Sequence, residues 1–239
     1  TNSKFKNCLA LESTINESRA DGIRGLIKKI FLMRISTVFA SGNLHAELLK
    51  ELQYKDEVKI TKGVGIINKP YFKMEKKEYE RKYLYIGRLS KVKNLEILIS
   101  IFNDLEDYVL TIIGIGEDEK YLKNISNKNI FFKGSVANKN LNKEFNRNNI
   151  LILPSISETW GLVVEEALYF GLPVMLSENC GSVELIENNV NGFVINPNNI
   201  DDIKNTIISI DSDKYKELLY GVDQFSIEKK DNVQVEVYE

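Results

Sequence analysis

The chain has 239 residues, of which 43% are apolar and 28% are charged, a composition typical of a folded protein with one large domain or two smaller ones. Its 32 basic residues nearly balance its 34 acidic ones, which argues against a nucleic acid bound through overall charge. The single histidine, His45, and two distant cysteines, Cys8 and Cys180, exclude a catalytic triad, a metal site built on His and Cys, and a disulfide framework.

The location of the protein is predicted from what the sequence lacks. No run approaches the roughly 18 apolar residues that a membrane-spanning helix needs, and no signal-peptide pattern opens the chain. Together with the unpaired cysteines, this predicts a cytoplasmic protein. Because the chain begins with Thr1 rather than methionine, we expect a processed product or an excised part of a longer protein.

Residues 1–70 contain too few predicted elements to close a domain of their own. The elements are a helix at 21–34, a strand at 36–41, a helix at 45–52 and a strand-like segment at 58–67. We therefore expect residues 1–70 to be the C-terminal fragment of a preceding domain, joined by a linker at 71–81 to a second domain.

The predicted helix at 21–34 is amphipathic and basic. Its apolar stripe consists of Ile23, Leu26, Ile27, Ile30 and Phe31, and its cations are Arg24, Lys28, Lys29 and Arg34. Such a helix either packs its stripe on the core and exposes its basic side, which is the favoured interpretation, or contacts an anionic membrane surface.

Strands and helices alternate after residue 82. Strands are predicted at 82–88, 108–114, 129–134, 149–154, 173–177 and 192–196, and helices at 94–105, 117–125, 139–147, 161–170, 181–188 and 200–209. Nearly continuous apolar strands linked by single helices predict an α/β fold with a Rossmann-like, doubly wound parallel sheet of about six strands, covered by helices on both faces. This domain is expected to span 82–221. In the tail, 222–239, the stretch VQVEVY alternates like an edge strand.

Two cations follow the first strand of the predicted sheet. Arg88 ends that strand and Lys93 stands just before a helix, so both are expected at the carboxyl edge, where ligands bind in such folds. Arg offers a planar fork of donors and Lys a mobile point charge, a pair suited to the two phosphates of a diphosphate. The alternative is a solvated loop, which is how we interpret the nearby Lys91.

Two further loops at this edge each allow more than one interpretation. GIGEDE, at 114–119, is either half of a dinucleotide fingerprint that lacks its third glycine or a tight turn with acidic residues at a helix start. In the loop at Gly134, Ser135 and Val136, either a nucleobase lies against the backbone or the chain simply turns into the next helix.

The stretch SETWGLVVEEALYFGLPV, at 157–174, places carboxylates in an apolar segment. A helix beginning at Gly161 would direct its free N–H groups toward the loop and form an anion site. Glu158 precedes that site and is better placed to accept hydrogen bonds from hydroxyl groups than to face a phosphate. Glu165 and Glu166 lie within the helix, where an apolar setting makes an unpartnered carboxylate costly. Spacing alone does not decide which of the two faces the cleft.

Together these residues resemble a known family. Arg88 followed by Lys93, the GIGE loop, and Glu158 separated by seven residues from Glu166 are similar to the donor-binding half of retaining GT-B glycosyltransferases of the glycogen-synthase-like, group 1 (GT4) type. The later stretch SENCGSVELIENNVNGFVINPNN resembles the loop, helix and strand that follow in that family. The resemblance covers about residues 80–200 and implies a GT-B fold.

The resemblance also implies a reaction. A sugar would pass from a nucleotide-diphosphate sugar, such as a UDP- or GDP-sugar, to an acceptor hydroxyl, with retention of the anomeric configuration and without a metal or other cofactor. The acceptor is expected to be a glycan or a lipid-linked glycan of bacterial capsular or cell-surface polysaccharide synthesis, met in the cytoplasm or on the inner face of the cell membrane.

By the same resemblance, Arg88, Lys93 and Glu158 are expected to be catalytic. The two cations would neutralise the diphosphate, and Glu158 would hold hydroxyls of the transferred sugar. Glu166 would accept the ribose hydroxyls, which leaves Glu165 as a bystander. The expected donor-binding residues are Gly87, Arg88, Lys93, Gly134, Ser135, Val136, Glu158, Gly161, Leu162, Val163 and Glu166, with the loop at 134–136 meeting the base and the N–H groups of Leu162 and Val163 meeting the diphosphate.

The chain also departs from the family pattern. Members carry the acceptor site, and often a catalytic histidine, in a complete first domain, of which only the last fragment is expected here. The chain is therefore expected to bind nucleotide diphosphate weakly and to transfer little sugar. His45 lies on a predicted helix of that fragment and is expected to be structural. Members usually end in a helix that crosses back to the first domain, which VQVEVY does not resemble. The alternatives are a non-catalytic sugar-nucleotide-binding subunit that needs a partner and a nicotinamide-dependent dehydrogenase domain, which the missing third glycine disfavours.

Overall fold

The structure, a computed structural model, describes residues 7–63, 65–66, 69 and 77–239. Most of the predicted linker at 71–81 and part of the strand-like segment at 58–67 therefore lie outside the described residues. The domain boundaries stay a prediction, but the described residues form two separate parallel sheets.

The first sheet has three strands in the order β1-β2-β3. Its elements are β1 (Cys8–Leu11), α1 (Gly22–Leu32), β2 (Thr37–Ala40), α2 (Asn43–Glu51) and β3 (Glu57–Ile60). A small core joins the helices to the sheet through Leu32, Ile35, Val38, Leu48, Leu49 and Leu52. Strand β1 was not predicted, because its four residues, CLAL, carry too short an alternation to stand out.

The favoured interpretation of the basic helix is wrong. Its apolar stripe faces outward: the exposed fraction is 80% for Ile23, 59% for Leu26, 61% for Ile27 and 51% for Phe31. Only Gly25 and Leu32 of α1 are buried. No helix among the described residues combines the length and the apolar character needed to cross a membrane.

The second sheet has six strands, all parallel, in the order β6-β5-β4-β7-β8-β9. The elements are β4 (Lys82–Ile86), α3 (Leu95–Asp104), β5 (Val109–Ile113), α4 (Glu119–Asn124), β6 (Ile130–Phe132), α5 (Asn138–Arg147), β7 (Ile150–Leu153), α6 (Leu162–Tyr169), β8 (Val174–Ser177), β9 (Gly192–Ile195), α7 (Ile200–Ser209), α8 (Ser212–Gln224) and α9 (Ile227–Tyr238). The predicted α/β fold with a doubly wound parallel sheet is confirmed.

The strand order creates a switch point beside the first strand. Strand β4 pairs with β5 on one side and with β7 on the other, so the chain runs outward in both directions from this centre. Every residue of β7 and β8 is buried, as expected for strands covered on both faces. In such sheets the crevice outside the carboxyl ends at the switch point is where ligands bind.

One predicted helix needs correction, and one helix was not predicted. The helix predicted at 181–188 is a short 3-10 turn, Gly181–Leu185, which ends where the Leu185 carbonyl accepts a hydrogen bond from the Asn191 side chain at 3.0 Å instead of from a helical N–H. Helix α8 was not predicted, although Asp211 caps it by accepting hydrogen bonds from the N–H groups of Asp213 and Lys214 at 3.0 and 2.8 Å.

The edge strand suggested for the tail is wrong, because residues 227–238 form α9. Ser226 caps this helix by accepting a hydrogen bond from the N–H of Lys229 at 3.2 Å. The helix crosses back to the first sheet, where Gln234 donates to the carbonyl of Gly63 at 2.7 Å and Tyr238 lies 4.7 Å from Phe39 between ring centroids. Tertiary contacts at helical spacing therefore override the β propensity of VQVEVY.

Candidate functional site

The two sheets turn their carboxyl ends toward one cleft of about 570 Å³. Its walls are formed by Glu12, Ser41, His45, Gly87, Arg88, Ser90, Val92, Lys93, Glu158, Thr159, Trp160, Gly161, Leu162 and Val163. A larger groove of about 770 Å³ lies between α2 and the C-terminal helices, but its described walls include none of the predicted site residues. The smaller cleft is therefore the candidate site, because it opens at the switch point of the sheet.

The two predicted cations enter this cleft from the loop after β4. Arg88 is exposed, and Lys93 ends a 3-10 turn that is tied to the β7 loop by a hydrogen bond from Ile156 N–H to the Val92 carbonyl at 2.8 Å. The Lys93 ammonium lies 2.5 Å from a carboxylate oxygen of Glu158, with 16% and 20% of the two side chains exposed. The predicted cation Lys93 and the predicted sugar-binding carboxylate of Glu158 therefore form an ion pair. Lys91 is exposed and does not line the cleft.

The loop at 157–161 is held by its neighbour at the sheet edge. Gly181 N–H donates to the Glu158 carbonyl at 3.0 Å, and Ser182 N–H donates to the Trp160 carbonyl at 3.1 Å. Gly161 adopts a φ of 77° and starts α6 without a side-chain cap. The first helical bond runs from Val164 N–H to the Gly161 carbonyl at 2.9 Å, so the N–H groups of Leu162 and Val163 precede it and face the cleft end of the helix.

Glu166 stands outside the walls of the cleft, one turn further along α6. It is 9% exposed and accepts a hydrogen bond from Asn138 at 3.1 Å. Burial raises the pKa of Glu166; the bond from Asn138 opposes this rise, and the charge of Glu165 adds to it. Because Asn138 directly follows the loop that contains Gly134, Ser135 and Val136, the structure brings the predicted ribose and base residues close together.

Glu165, the expected bystander at the donor site, is not a solvated residue. Its side chain is fully buried and pairs with Lys230 of α9, and it accepts a hydrogen bond from the indole N–H of Trp160 at 2.5 Å. Both carboxylates of the EE pair are therefore partnered, as burial requires. Glu166 points toward α5, whereas Glu165 points toward the first sheet.

The glycine pair in GIGEDE serves close packing. A Cβ on Gly114, whose φ is 139°, would overlap the carbonyl oxygen of Gly87, and a Cβ on Gly116 would overlap the carbonyl oxygen of Leu89. The loop after β5 thus lies backbone to backbone against the loop that carries Arg88. This packing accounts for both glycines without a phosphate.

The structure adds residues that were not predicted for the site. Glu12 follows the unpredicted β1, and Trp160 lies between the predicted residues Glu158 and Gly161. Glu17 lies near Ser157; burial raises the pKa of Glu17, and its hydrogen bond with Ser157 opposes the rise. His45 is buried in the cleft wall, and burial lowers its pKa, so the imidazole is neutral at pH 7. Recognising β1 as a strand would have identified Glu12.

The sequence profile described as Glycosyl transferases group 1 matches residues 68–220. The chain belongs to this family. Membership agrees with the site, since the matched residues supply both cations, the 157–161 loop and helix α6. The dehydrogenase alternative has no support in this match or in the packing of Gly114 and Gly116.

Individual relatives agree with the family. The chain is 27% identical over 160 residues to an uncharacterized glycosyltransferase of Methanocaldococcus jannaschii, covering 64% of this chain and 38% of that protein. It is 28% identical over 204 residues to the O-antigen biosynthesis glycosyltransferase WbnH of Escherichia coli, covering 77% and 58%. The match therefore spans 38% and 58% of the length of these relatives.

A solved structure shows the same fold. HepE of Anabaena in complex with UDP and glucose superposes with a TM-score of 0.75 at 17% identity, covering 98% of this chain and 71% of that one. At this identity the likeness supports the GT-B arrangement of two facing parallel sheets.

Proposed function

We propose that this chain forms the donor-binding half of a retaining glycosyltransferase of the GT4 type. The substrate would be a nucleotide-diphosphate sugar, with UDP as the first probe because HepE is seen with UDP. The similarity to WbnH supports an acceptor glycan or lipid-linked glycan of capsular or cell-surface polysaccharide synthesis. The observation that carries the proposal is the meeting of Lys93, Glu158 and the start of α6 at the switch point of the sheet.

The charges of the cleft suit the departure of a nucleoside diphosphate. As the sugar leaves, negative charge grows on the phosphate and positive charge on the sugar ring. The negative charge would be stabilised by Arg88, Lys93 and the N–H groups of Leu162 and Val163. The positive charge would be stabilised by Glu158. Groups already fixed in a partly buried cleft lower the barrier because they need little reorganisation during the reaction.

The Lys93–Glu158 ion pair gives the proposal a sharp test. Glu158→Gln is expected to tighten UDP binding by about two- to fivefold, since an ion pair that is still in contact with solvent is worth only a small free energy and Lys93 no longer shares its charge. The same change is expected to remove the gain in affinity that a UDP-sugar has over UDP, because the sugar loses its carboxylate acceptor. Isothermal titration calorimetry with UDP and UDP-glucose measures both effects.

The control for this variant is Glu178→Gln, which removes an exposed carboxylate from the neighbouring loop of the same sheet edge. It is expected to leave both affinities unchanged. Equal effects of the two substitutions, or a weaker UDP affinity in Glu158→Gln, would contradict the role given to Glu158.

A peripheral contact with an anionic membrane through α1 is also proposed. Leu26, Ile27 and Phe31 are exposed on one side of the helix, beside the cations Arg24 and Lys29. Each Lys or Arg near an anionic surface contributes about 1 kcal/mol. We expect the protein to sediment with vesicles that contain phosphatidylglycerol and not with purely zwitterionic vesicles. Leu26→Ser with Phe31→Ser is expected to abolish this binding.

The matched control replaces exposed apolar residues elsewhere, Ile115 and Tyr121, by serine. This control is expected to sediment as the wild type does. Failure of the wild-type protein to bind anionic vesicles at low ionic strength would refute the membrane contact.

A further inference from the structure

Trp160 is held between the two sheets. It belongs to the loop of the second sheet that carries Glu158, yet its ring packs on backbone of the first. A Cβ on Gly42 would lie 2.8 Å from the indole, and a Cβ on Gly63 would also lie 2.8 Å from it. The ring is 5% exposed. The two glycines therefore provide flat backbone surfaces on which the indole rests.

Glu165 fixes the polar edge of this indole. One carboxylate oxygen accepts the Trp160 N–H at 2.5 Å, and the other pairs with Lys230 of α9. The side chains of Glu165 and Lys230 are 0% and 5% exposed. A buried carboxylate without such partners is strongly unfavourable, so the three side chains hold one another in place.

The same group of residues is fastened to the first sheet. A Cβ on Gly63, whose φ is 115°, would overlap the Glu165 carboxylate and come within 3.1 Å of the Lys230 ammonium. Gln234 of α9 donates to the Gly63 carbonyl at 2.7 Å, and Lys59 donates to the Val237 carbonyl at 3.1 Å. Helix α9 thus joins β3 and the segment after it to helix α6.

We propose that Glu165 is a positioning residue for the donor loop. By binding Trp160 and Lys230 together, its carboxylate sets where the 157–161 loop stands relative to the first sheet, and so where Glu158 and the start of α6 stand in the cleft. The proposal rests on the proposed function, because that cleft is where the sugar nucleotide would bind. We call Trp160, Glu165, Lys230 and Gly63 the Glu165 clasp.

The lone tryptophan allows a test that needs no ligand. Trp160 is the only tryptophan in the chain, so acrylamide quenching of its fluorescence reports on the clasp directly. Lys230→Met is expected to increase quenching. Because a lone buried charge can prevent folding, the double variant Glu165→Leu with Lys230→Met, which removes both charges together, is the second arm. Gly63→Ala disturbs the clasp from the first sheet and is expected to act in the same direction.

The matched control is Ile207→Ala, a truncation of a fully buried side chain in α7, which lowers stability without touching the clasp. Each variant is compared at a temperature well below its own Tm. Quenching in the clasp variants that equals the wild-type or Ile207→Ala value would overturn the proposal.

The functional arm measures UDP and UDP-glucose binding by calorimetry. Substitutions within a network of residues that couples two sites change that coupling by an amount worth about two- to thirtyfold in affinity. In the double variant we expect a loss of this size for UDP-glucose and a smaller loss for UDP. Unchanged affinities with raised quenching would overturn the positioning role. If wild-type protein bound neither ligand, the proposed function would fail, while quenching would still decide whether the clasp holds Trp160.

Discussion

Lys93→Ala is expected to weaken binding of a nucleoside diphosphate by about 1.5–3 kcal/mol, which is about 10- to 150-fold in Kd. The substitution would remove the charge-assisted hydrogen bond that Lys93 is proposed to donate to a phosphate. It also leaves Glu158, whose carboxylate lies 2.5 Å from the ammonium, as an uncompensated negative charge facing the diphosphate. Calorimetric titration with UDP at fixed ionic strength measures the loss.

The chain offers a matched control two residues away. Lys91 belongs to the same 3-10 turn but is exposed and lies outside the cleft walls, so Lys91→Ala changes the net charge equally without removing a ligand contact. We expect its UDP affinity to stay within about twofold of the wild type, as is usual for exposed charges. Similar losses in both variants would show that the turn acts only through overall charge.

Gly114→Ala is expected to lower the free energy of unfolding by about 2–4 kcal/mol, through overpacking and an unfavourable backbone conformation. A Cβ at this position would overlap the Gly87 carbonyl oxygen, and the φ of 139° is rarely adopted by residues with side chains. Urea denaturation followed by circular dichroism measures the change.

Gly134→Ala measures the cost of an unfavourable backbone conformation without an overlap between the new Cβ and a neighbouring atom. Gly134 also has a positive φ, 65°, but nothing lies within 4 Å of the site of its Cβ. We expect a cost of about 1–2 kcal/mol there, the usual penalty of the left-handed region. A Gly114→Ala variant that kept full stability and lost only nucleotide binding would restore the interpretation of GIGE as a phosphate-binding loop.

Local sequence patterns were sufficient to predict the second sheet. Apolar runs such as those of β7 and β8 can be recognised as strands because a strand that is buried on both faces has a nearly continuous apolar sequence. The placement of Arg88, Lys93 and Glu158 at one edge followed from the same rule, since the carboxyl ends of parallel strands meet there.

The features that could not be predicted depend on distant partners. Glu165 looks like a solvated helix residue until Lys230, 65 positions later, is placed beside it. Residues 233–238 have the propensity of a strand, but Gln234 and Tyr238 contact the first sheet from a helix. The outward stripe of α1 was misassigned for a similar reason: an amphipathic pattern identifies the apolar side but not what covers it.

The measurement that tests the central claim most directly is calorimetry of wild-type and Glu166→Ala protein against UDP, GDP and ADP, and against the 2′-deoxy form of the tightest binder. We expect the wild type to prefer the ribose form over the 2′-deoxy form. Glu166→Ala is expected to lose this preference and at least about tenfold in affinity, because it would remove a hydrogen bond between the ribose and a charged group. Glu178→Ala, at an exposed carboxylate of the same edge, is expected to match the wild type. Unchanged binding and an unchanged ribose preference in Glu166→Ala would contradict a donor site that extends from the cleft to Glu166. No binding of any of these nucleotides by the wild type would contradict the donor site altogether.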